Sequence, residues 1–376
     1  MKKIITGVII IILAVIGIFY FSKNSNQPTI NIKEPIKIGV LIPTTGLAAA
    51  IGDDNRQGLD LAKEDLLEKY PDLKLELVYE DTAYDPKVAV TAYFKLRDVN
   101  KVGVIISGGT KISGPLRKVA QLDNILQMAI WSAAPSYSEI HDLNYRTTPL
   151  SDDNVPVLVD YLKKNGYKKL AVFYPIDEFG ITYKESFEKL APLGGIEIVD
   201  IEGYLATDKD FRGSLSKIKN KKPDALFVAG TAPQLGVLFK QIKELGIVVN
   251  LLSQGAAENK QMLDGAAGAA EGLVYSYYFD PSSQYSASFS NKYLSRYGKV
   301  PSQYVAEAYT GLTLIGEAIN SCDNKLEKNC WKDYLDKFRN SPTVLGLASI
   351  NERGDLKPDK VFLKEVKNGK FVKLEE

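Results

Sequence analysis

Side chains that carry acid–base, metal or nucleophilic chemistry are scarce in this sequence. The 376 residues include one histidine, His141, and two cysteines, Cys322 and Cys330. Histidine is the usual proton shuttle near neutral pH, and a zinc site takes about four cysteine or histidine ligands. The sequence also lacks the GxSxG, GxxxxGK(S/T) and HExxH motifs. We therefore predict a protein that is not an enzyme and that holds neither a metal nor a cofactor.

Neither sign of charge dominates the chain. The 47 lysines and arginines nearly balance the 46 aspartates and glutamates, which gives a net charge of +1. No long run of either sign occurs. Proteins that bind nucleic acid or strongly anionic surfaces usually show such an excess or such a run, so we predict that nucleic acid is not a partner.

The amino-terminal residues have a composition of their own. Residues Ile4–Phe21 form a nearly unbroken apolar run behind Lys2 and Lys3. The run is just long enough to span a bilayer, and no small-x-small cleavage site or nearby cysteine follows it. We predict that residues 1–21 are an uncleaved membrane anchor with the body on the extracytoplasmic side, followed by a polar linker over residues 22–35. A cleaved signal peptide is the main alternative, and a buried core helix is a third interpretation.

The two cysteines lie close together in the segment SCDNKLEKNC. In an exported chain, Cys322 and Cys330 can close a small surface loop by forming a disulfide bond. Two free thiols are the alternative, and the sequence alone leaves both open.

After the linker, short β-rich runs alternate with amphipathic helical patterns. The series runs through four strands and then starts again, which predicts an α/β protein of two consecutive doubly wound lobes. Because ligands bind beyond the carboxyl ends of such strands, two facing lobes would form a cleft. The predicted strands are Ile36–Ile42, Leu73–Tyr79, Val102–Ser107 and Ile125–Trp131, then Leu170–Tyr174, Ile196–Ile201, Asp224–Ala229, Leu251–Ser253 and Leu273–Phe279.

Several short motifs occur along this body in a characteristic order. Each of them is weak alone, but their order and spacing together are specific. The motifs are IGVLIPTTG (38–46), YED (79–81), DP (85–86), YRTTP (145–149), FG (179–180), AEG (270–272) and GDL (354–356). From Ile36 onward, the chain resembles the branched-chain amino-acid-binding family of periplasmic binding proteins.

The resemblance implies a fold and a task. The fold would have two Rossmann-like lobes joined by three crossover strands, with hinge closure around the ligand. Lobe one would comprise residues 36–148 plus 276–357, and lobe two residues 149–275 plus 358–376. The task would be that of a monomeric protein that delivers a small solute to the permease and ATPase subunits of an ABC importer.

The resemblance also indicates where a ligand would bind. Family members that bind α-amino acids hold the carboxylate with a serine or threonine after the third strand and another after the fourth. Here Thr110 occupies the first position and Ala133 the second, so one hydroxyl is missing. Ser132 lies beside it, although its side chain is expected to point elsewhere unless the loop shifts.

The family's acidic residue that binds the ligand ammonium is missing from its usual place. That loop reads Gln254-Gly255-Ala256-Ala257 here, and Glu258 follows at the expected start of a helix. An ammonium buried without a carboxylate is strongly unfavourable. We therefore predict a ligand other than a zwitterionic α-amino acid, with an apolar or aromatic body and one or two polar ends.

The remaining cleft residues follow from the same alignment of motifs. The aromatic ones have core packing as an alternative role, and Thr231 and Gln254 would meet polar ends of the ligand. The full set of predicted ligand contacts is Leu47, Ile51, Thr110, Trp131, Ser132, Ala133, Phe179, Thr231, Gln254 and Tyr304.

Two other functional classes remain open. A sensor of the same fold would bind a similar ligand but would signal through a partner protein. An enzyme would need reactive groups such as the carboxylates of Glu80, Asp81 and Asp85, but Asp85 is also the expected cap of a helix.

Overall fold

The computed structural model describes residues 34–374. The predicted membrane anchor, residues 1–21, and nearly all of the predicted linker lie outside the described residues. Within the described range, no helix combines the length and the apolar character that crossing a bilayer requires.

The amino-terminal unit is a parallel sheet with helices on both faces. Its elements are β1 (Ile36–Ile42), α1 (Ala49–Lys69), β2 (Leu75–Asp81), α2 (Pro86–Lys95), β3 (Val104–Gly108), α3 (Thr110–Leu122), β4 (Leu126–Ile130) and β5 (Asn144–Arg146). The strand order is β2-β1-β3-β4-β5, and every neighbouring pair is parallel. Strands β3 and β4 are buried along their whole length, which explains why they read as short continuous apolar runs.

The second unit repeats this plan. Its elements are α4 (Ser151–Lys164), β6 (Lys169–Pro175), α5 (Glu178–Leu190), β7 (Glu197–Tyr204), α6 (Arg212–Asn220), β8 (Ala225–Val228), α7 (Ala232–Glu244), β9 (Asn250–Ser253), α8 (Lys260–Ala266) and β10 (Val274–Tyr277). Each strand predicted from the sequence overlaps an observed strand, with ends that differ by a few residues. The α/β class is therefore confirmed.

The carboxyl-terminal part completes both units. Its elements are α9 (Ala287–Tyr297), α10 (Gln303–Ser321), α11 (Lys328–Asp336), β11 (Ser341–Thr343), β12 (Gly346–Ile350), β13 (Leu356–Pro358), β14 (Phe362–Lys367) and β15 (Lys370–Lys373). Strands β14 and β15 extend the second sheet in the order β15-β14-β10-β9-β8-β6-β7, whereas β11, β12 and β13 form a small separate sheet. Helices α9 and α10 pack on α1 of the first unit.

The protein thus has two lobes. The first lobe holds β1–β5, α1–α3 and α9–α11, and the second holds β6–β10, β14, β15 and α4–α8. The chain passes between the lobes three times, after β5, after β10 and after β13. The predicted boundary at Ser276 falls inside β10, so Ser276 and Tyr277 lie in the second sheet.

Two local links stabilise the first lobe. A disulfide bond joins Cys322, just after α10, to Cys330 in α11. At the first crossing, Arg146 forms an ion pair with Asp355, with Nε 2.7 Å from Oδ1, and both side chains are buried. Since a buried guanidinium needs such a partner, the ion pair holds the small sheet against β5.

Candidate ligand-binding cleft

A cleft lies between the two lobes, at the carboxyl ends of their parallel strands. The space is about 630 Å³, including its solvent-open mouth, and both lobes line it. The lining is largely apolar and aromatic with a few polar groups, as is typical of small-molecule sites.

The lobes touch each other at the edge of the cleft. Ser136, from the first lobe, donates from Oγ to Oε1 of Glu178 at the start of α5 over 2.7 Å. On the other side, a Cβ added at Gly255 would come within 2.3 Å of Oε1 of Gln303. Glycine at 255 therefore permits the close approach of the two lobes.

The amino terminus of α3 supplies polar groups to the cleft. Thr110 is the first residue of this helix, and its Oγ1 accepts from the backbone N–H of Ala133 over 3.1 Å. The first N–H groups of a helix have no acceptor within the helix and favour anionic ligands. Gly109, with φ of 97°, brings the chain into this position beneath the rings of Tyr84 and Trp131.

Aromatic rings form much of the cleft wall. Trp131 stacks on Tyr84 with ring centroids 5.2 Å apart, and it meets Tyr304 edge-on at 6.0 Å. Its indole Nε1 donates to Asn55 over 2.9 Å, which fixes the ring. Trp131 also has φ of 44°, a left-handed backbone conformation that a bulky residue rarely adopts. The surrounding contacts hold the indole in the cleft despite this strain.

Among the residues that the structure describes, one carboxylate lines the cleft, and it belongs to the first lobe. Glu307, on α10, is completely buried, and its Oε2 accepts from the backbone N–H of Trp131 over 2.5 Å. The hydroxyls of Thr148 and Tyr278 also donate to this carboxylate. Among the residues that the structure describes, no lysine, arginine or histidine lines the cleft. The donors to Glu307 are therefore neutral.

Burial is the main influence on the pKa of Glu307. Removal from water disfavours the charged form and raises the pKa of Glu307 to about 7, although the donors Thr148, Tyr278 and Trp131 act in the opposite direction. Glu307 can thus change its charge near neutral pH, in contrast to a carboxylate on the protein surface.

Two glutamines differ in how they are bonded. Gln254 donates from Nε2 to the carbonyl of Gly230 over 2.9 Å and accepts from the N–H of Ala256 over 2.7 Å, so its amide joins two loops of the second lobe. Gln303 lines the cleft and is only 6% exposed. Its Oε1 has no hydrogen-bond donor in the part of the chain that the structure describes.

The structure brings most of the predicted contact residues into this one cleft. Thr231 is among them, and its Oγ1 donates to Gln234 over 3.0 Å at the start of α7. The predicted residues that line the cleft are Ile51, Thr110, Trp131, Ala133, Phe179, Thr231, Gln254 and Tyr304.

Ser132 and Leu47 lie elsewhere. The side chain of Ser132 is completely buried and is absent from the cleft lining, whereas its neighbours Trp131 and Ala133 both line the cleft. Leu47 is 88% exposed in the loop before α1. Glu258, the acidic residue after the Gln254 loop, is also absent from the lining, since it pairs with Lys364 and accepts from Tyr275.

Several lining residues escaped the sequence analysis, and one of them had a usable signal. Glu307 follows Gln303 by four positions and Tyr304 by three, so all three share one face of a helix. Tyr304 was a predicted contact, and its helical neighbours could have been included. The additional lining residues that matter below are Tyr84, Thr148, Tyr183, Tyr278, Gln303 and Glu307.

The sequence matches a known family along most of its length. A family profile described as "Periplasmic binding protein" matches residues 35–370. The chain is 25% identical over 349 residues to the Leu/Ile/Val-binding protein BraC3 of Rhizobium johnstonii, which covers 90% of this chain and 94% of that protein. It is 27% identical over 340 residues to a leucine-, isoleucine-, valine-, threonine- and alanine-binding protein of Pseudomonas aeruginosa, and this match covers 86% of this chain and 88% of that protein. These relatives are binding proteins, not enzymes.

Solved structures share the fold. A leucine-binding protein from Thermotoga maritima superposes with a TM-score of 0.83 at 23% identity, over 90% of this chain and 98% of that one. A substrate-binding protein from Desulfitobacterium hafniense in complex with leucine gives 0.77 at 26% identity, over 91% and 100%. A solute-binding protein from Rhodopseudomonas palustris in complex with 3,4-dihydroxybenzoic acid gives 0.82 at 23% identity, over 91% and 96%. This chain belongs to the branched-chain amino-acid-binding family of type I periplasmic binding proteins.

Proposed function

We propose that this protein captures a small organic ligand outside the cytoplasm, clamps it between its lobes and delivers it to the permease and ATPase subunits of an ABC importer. The observation that carries the proposal is the cleft itself, which both lobes line where their parallel strands end. Its aromatic walls would bury the body of a ligand, and its few polar groups would orient the ends.

The relatives support an amino-acid-like ligand or an aromatic acid. The curated relatives are named for binding leucine, isoleucine and valine. The structure that holds leucine is 26% identical to this chain. The Rhodopseudomonas palustris protein that shares the fold was solved in complex with 3,4-dihydroxybenzoic acid, which favours an aromatic acid as the alternative ligand class.

Binding would act through the balance between open and closed lobes. A ligand that contacts both lobes favours the closed arrangement by its differential affinity for it. Thr110 and Tyr304 would meet the ligand from the first lobe, and Phe179 and Thr231 from the second. Selectivity would arise because a buried polar group left without a partner on closure costs about 1–3 kcal/mol.

We further propose that residues 1–21 tether the protein to the outer face of the membrane. A tether would keep the binding protein close to its importer. Two measurements test this assignment: resistance of the protein to alkaline extraction from membranes, and the amino-terminal sequence of the mature protein. A mature terminus after residue 21 together with release into the medium would refute the tether.

The main test is a thermal-shift screen of the full-length protein in detergent micelles, followed by calorimetry of the hits. A ligand at about 100 times its dissociation constant adds about 2.7 kcal/mol of stability. We expect hits among amino acids or aromatic acids, and loss of uptake of the same compound in cells that lack the gene. If no compound binds, the proposal fails. Binding without any change in uptake would favour a sensor.

A further inference from the structure

Glu307 and Gln303 present two oxygen acceptors to the cleft from neighbouring turns of α10. Glu307 is fully buried and Gln303 is 6% exposed, and both line the cleft. Residues four apart on a helix have their Cβ atoms about 5–6 Å from each other. Together they form one polar stripe, which we call the α10 acceptor pair.

The acceptors have capacity for a further donor. Oε1 of Gln303 has no donor among the described residues. Oε1 of Glu307 accepts only from Tyr278 among these residues, whereas Oε2 accepts from Trp131 and Thr148. Buried acceptors are nearly always paired, so an unpaired amide oxygen inside a ligand cleft indicates that the ligand supplies the donor.

Glu307 is held in place before any ligand arrives. Its three donors come from the turn after β4, the crossing after β5 and the crossing after β10. Such fixed donors keep the carboxylate oriented, but they bring no positive charge. None of the described residues gives Glu307 a positively charged partner, so a cation from outside the protein would be the first.

The surroundings of the α10 acceptor pair also favour a cation. The rings of Tyr84, Trp131 and Tyr304 line the cleft, and the faces of aromatic rings attract cations within about 6 Å. None of the described lining residues is basic. A negatively charged group placed next to Glu307 would be repelled by the ionised carboxylate.

We propose that the α10 acceptor pair is the subsite for a protonated amino group, so that the ligand is an ammonium-bearing compound and not a simple aromatic acid. The inference rests on the proposed function as a solute-binding protein. The ammonium N–H groups donate to the carboxylate of Glu307 and to the amide oxygen of Gln303. Glu307 then replaces the acidic residue that the Gln254 loop lacks, from the opposite lobe.

The test uses matched sets of ligands that differ only in charged groups. One set is leucine, isocaproate and isoamylamine, and the other is phenylalanine, hydrocinnamate and phenethylamine. Calorimetry with the full-length protein in detergent compares wild type with Glu307→Gln, which keeps the shape and removes the charge. Asp264→Asn, an exposed carboxylate on α8, is the control for a change in net charge.

We expect the amino acid or the amine of at least one set to bind more tightly than the matched acid. Glu307→Gln should weaken that binding by about 10- to 150-fold, the range of a hydrogen bond to a charged group. In wild type, this affinity should fall as pH drops below 7, because Glu307 becomes protonated, and the variant should lose this dependence. A purely structural role of Glu307 would not remove a pH dependence that is specific to amines.

Two outcomes overturn the inference in different ways. If the acids bind more tightly than their amine-bearing counterparts, and Glu307→Gln leaves this binding unchanged, the subsite is refuted while the solute-binding function stands. If no member of either set binds, the inference fails, and the thermal-shift screen decides separately whether the solute-binding proposal stands. The wild-type comparison of matched ligands decides the matter even if Glu307→Gln does not fold.

Discussion

Replacing Glu307 by glutamine should change how the stability of the ligand-free protein depends on pH. Glu307 is buried without a cation among the described residues, and the ionisable groups that face it are tyrosines, which are neutral below pH 9. These are Tyr183, Tyr277, Tyr278 and Tyr304. Glutamine preserves the size of the side chain, its amide oxygen can still accept from Trp131 and Thr148, and its NH2 group can donate to the hydroxyl oxygen of Tyr278. The comparison of wild type with this variant therefore reports on the protonation of Glu307 alone.

The expected change in the free energy of unfolding follows from the pKa of Glu307. Burial raises the pKa of Glu307 from 4.5 to about 7, and this difference corresponds to about 3 kcal/mol. Between these two pH values the folded protein holds a proton that the unfolded chain has released. Stability therefore falls as pH rises through this window, and the full penalty is present above pH 7. Relative to Glu307→Gln, wild type should lose about 3 kcal/mol between pH 4 and pH 8.

The assay is urea unfolding at a series of pH values, followed by tryptophan fluorescence, with ligand first removed by dialysis. The measured quantity is the free energy of unfolding of wild type minus that of Glu307→Gln at each pH. Taking this difference removes the contributions of all other titrating groups. The surface variant Glu64→Gln controls for the change in net charge.

A constant difference across the whole pH range would refute the reasoning. It would mean that Glu307 has the same proton occupancy in the folded and unfolded states, and therefore that its burial is compensated by a cation or by water. A difference that grows in favour of wild type with rising pH would show that the folded protein stabilises the charged form. Either result would also remove the support that the pKa of Glu307 lends to an ammonium subsite.

Three further predictions concern other parts of the molecule. In calorimetry, Gly255→Ala should weaken binding of the ligand identified in the screen by about tenfold, since the added Cβ would lie 2.3 Å from Oε1 of Gln303 and would displace this amide from its position in the cleft. Gly213→Ala adds a methyl group in open space and should leave binding unchanged. Asp355→Ala should lower the free energy of unfolding by about 3–5 kcal/mol, because Arg146 stays buried without its partner; a loss below about 1 kcal/mol in urea titrations would contradict this. Cys322→Ser should lower the free energy of unfolding by about 2–3 kcal/mol, because it opens the disulfide loop. Addition of a reductant should leave the unfolding midpoint of this variant unchanged, since it has no disulfide to reduce.

The fold was largely predictable from the order of local patterns. Strands such as β3 and β4 are buried on both faces, so they appear as short apolar runs between amphipathic helices. Motif order then indicated the family, which the family match from residue 35 to residue 370 confirms. Lobe boundaries were harder to place, because Ser276 lies in a run of apolar residues whose sheet partner, Leu363, is far along the chain.

The cleft residues were predictable where they follow a strand or begin a helix. Thr110 begins α3, and Phe179 and Thr231 lie at similar junctions in the second lobe, so their positions follow from local patterns and from the topology of parallel sheets. Ser132 shows the limit of this reasoning, since its side chain is buried away from the cleft although both of its neighbours line it.

The sequence determined the α/β class, the family and the cleft, because hydrophobic periodicity and motif order are local properties of the chain. Only the tertiary structure revealed the buried carboxylate of Glu307. Its donors Thr148 and Tyr278 are 159 and 29 residues away along the chain, and its pKa depends on their assembly around it. Burial and charge compensation are properties of the packed molecule, so the chemical character of the cleft became visible only when the lobes were in place.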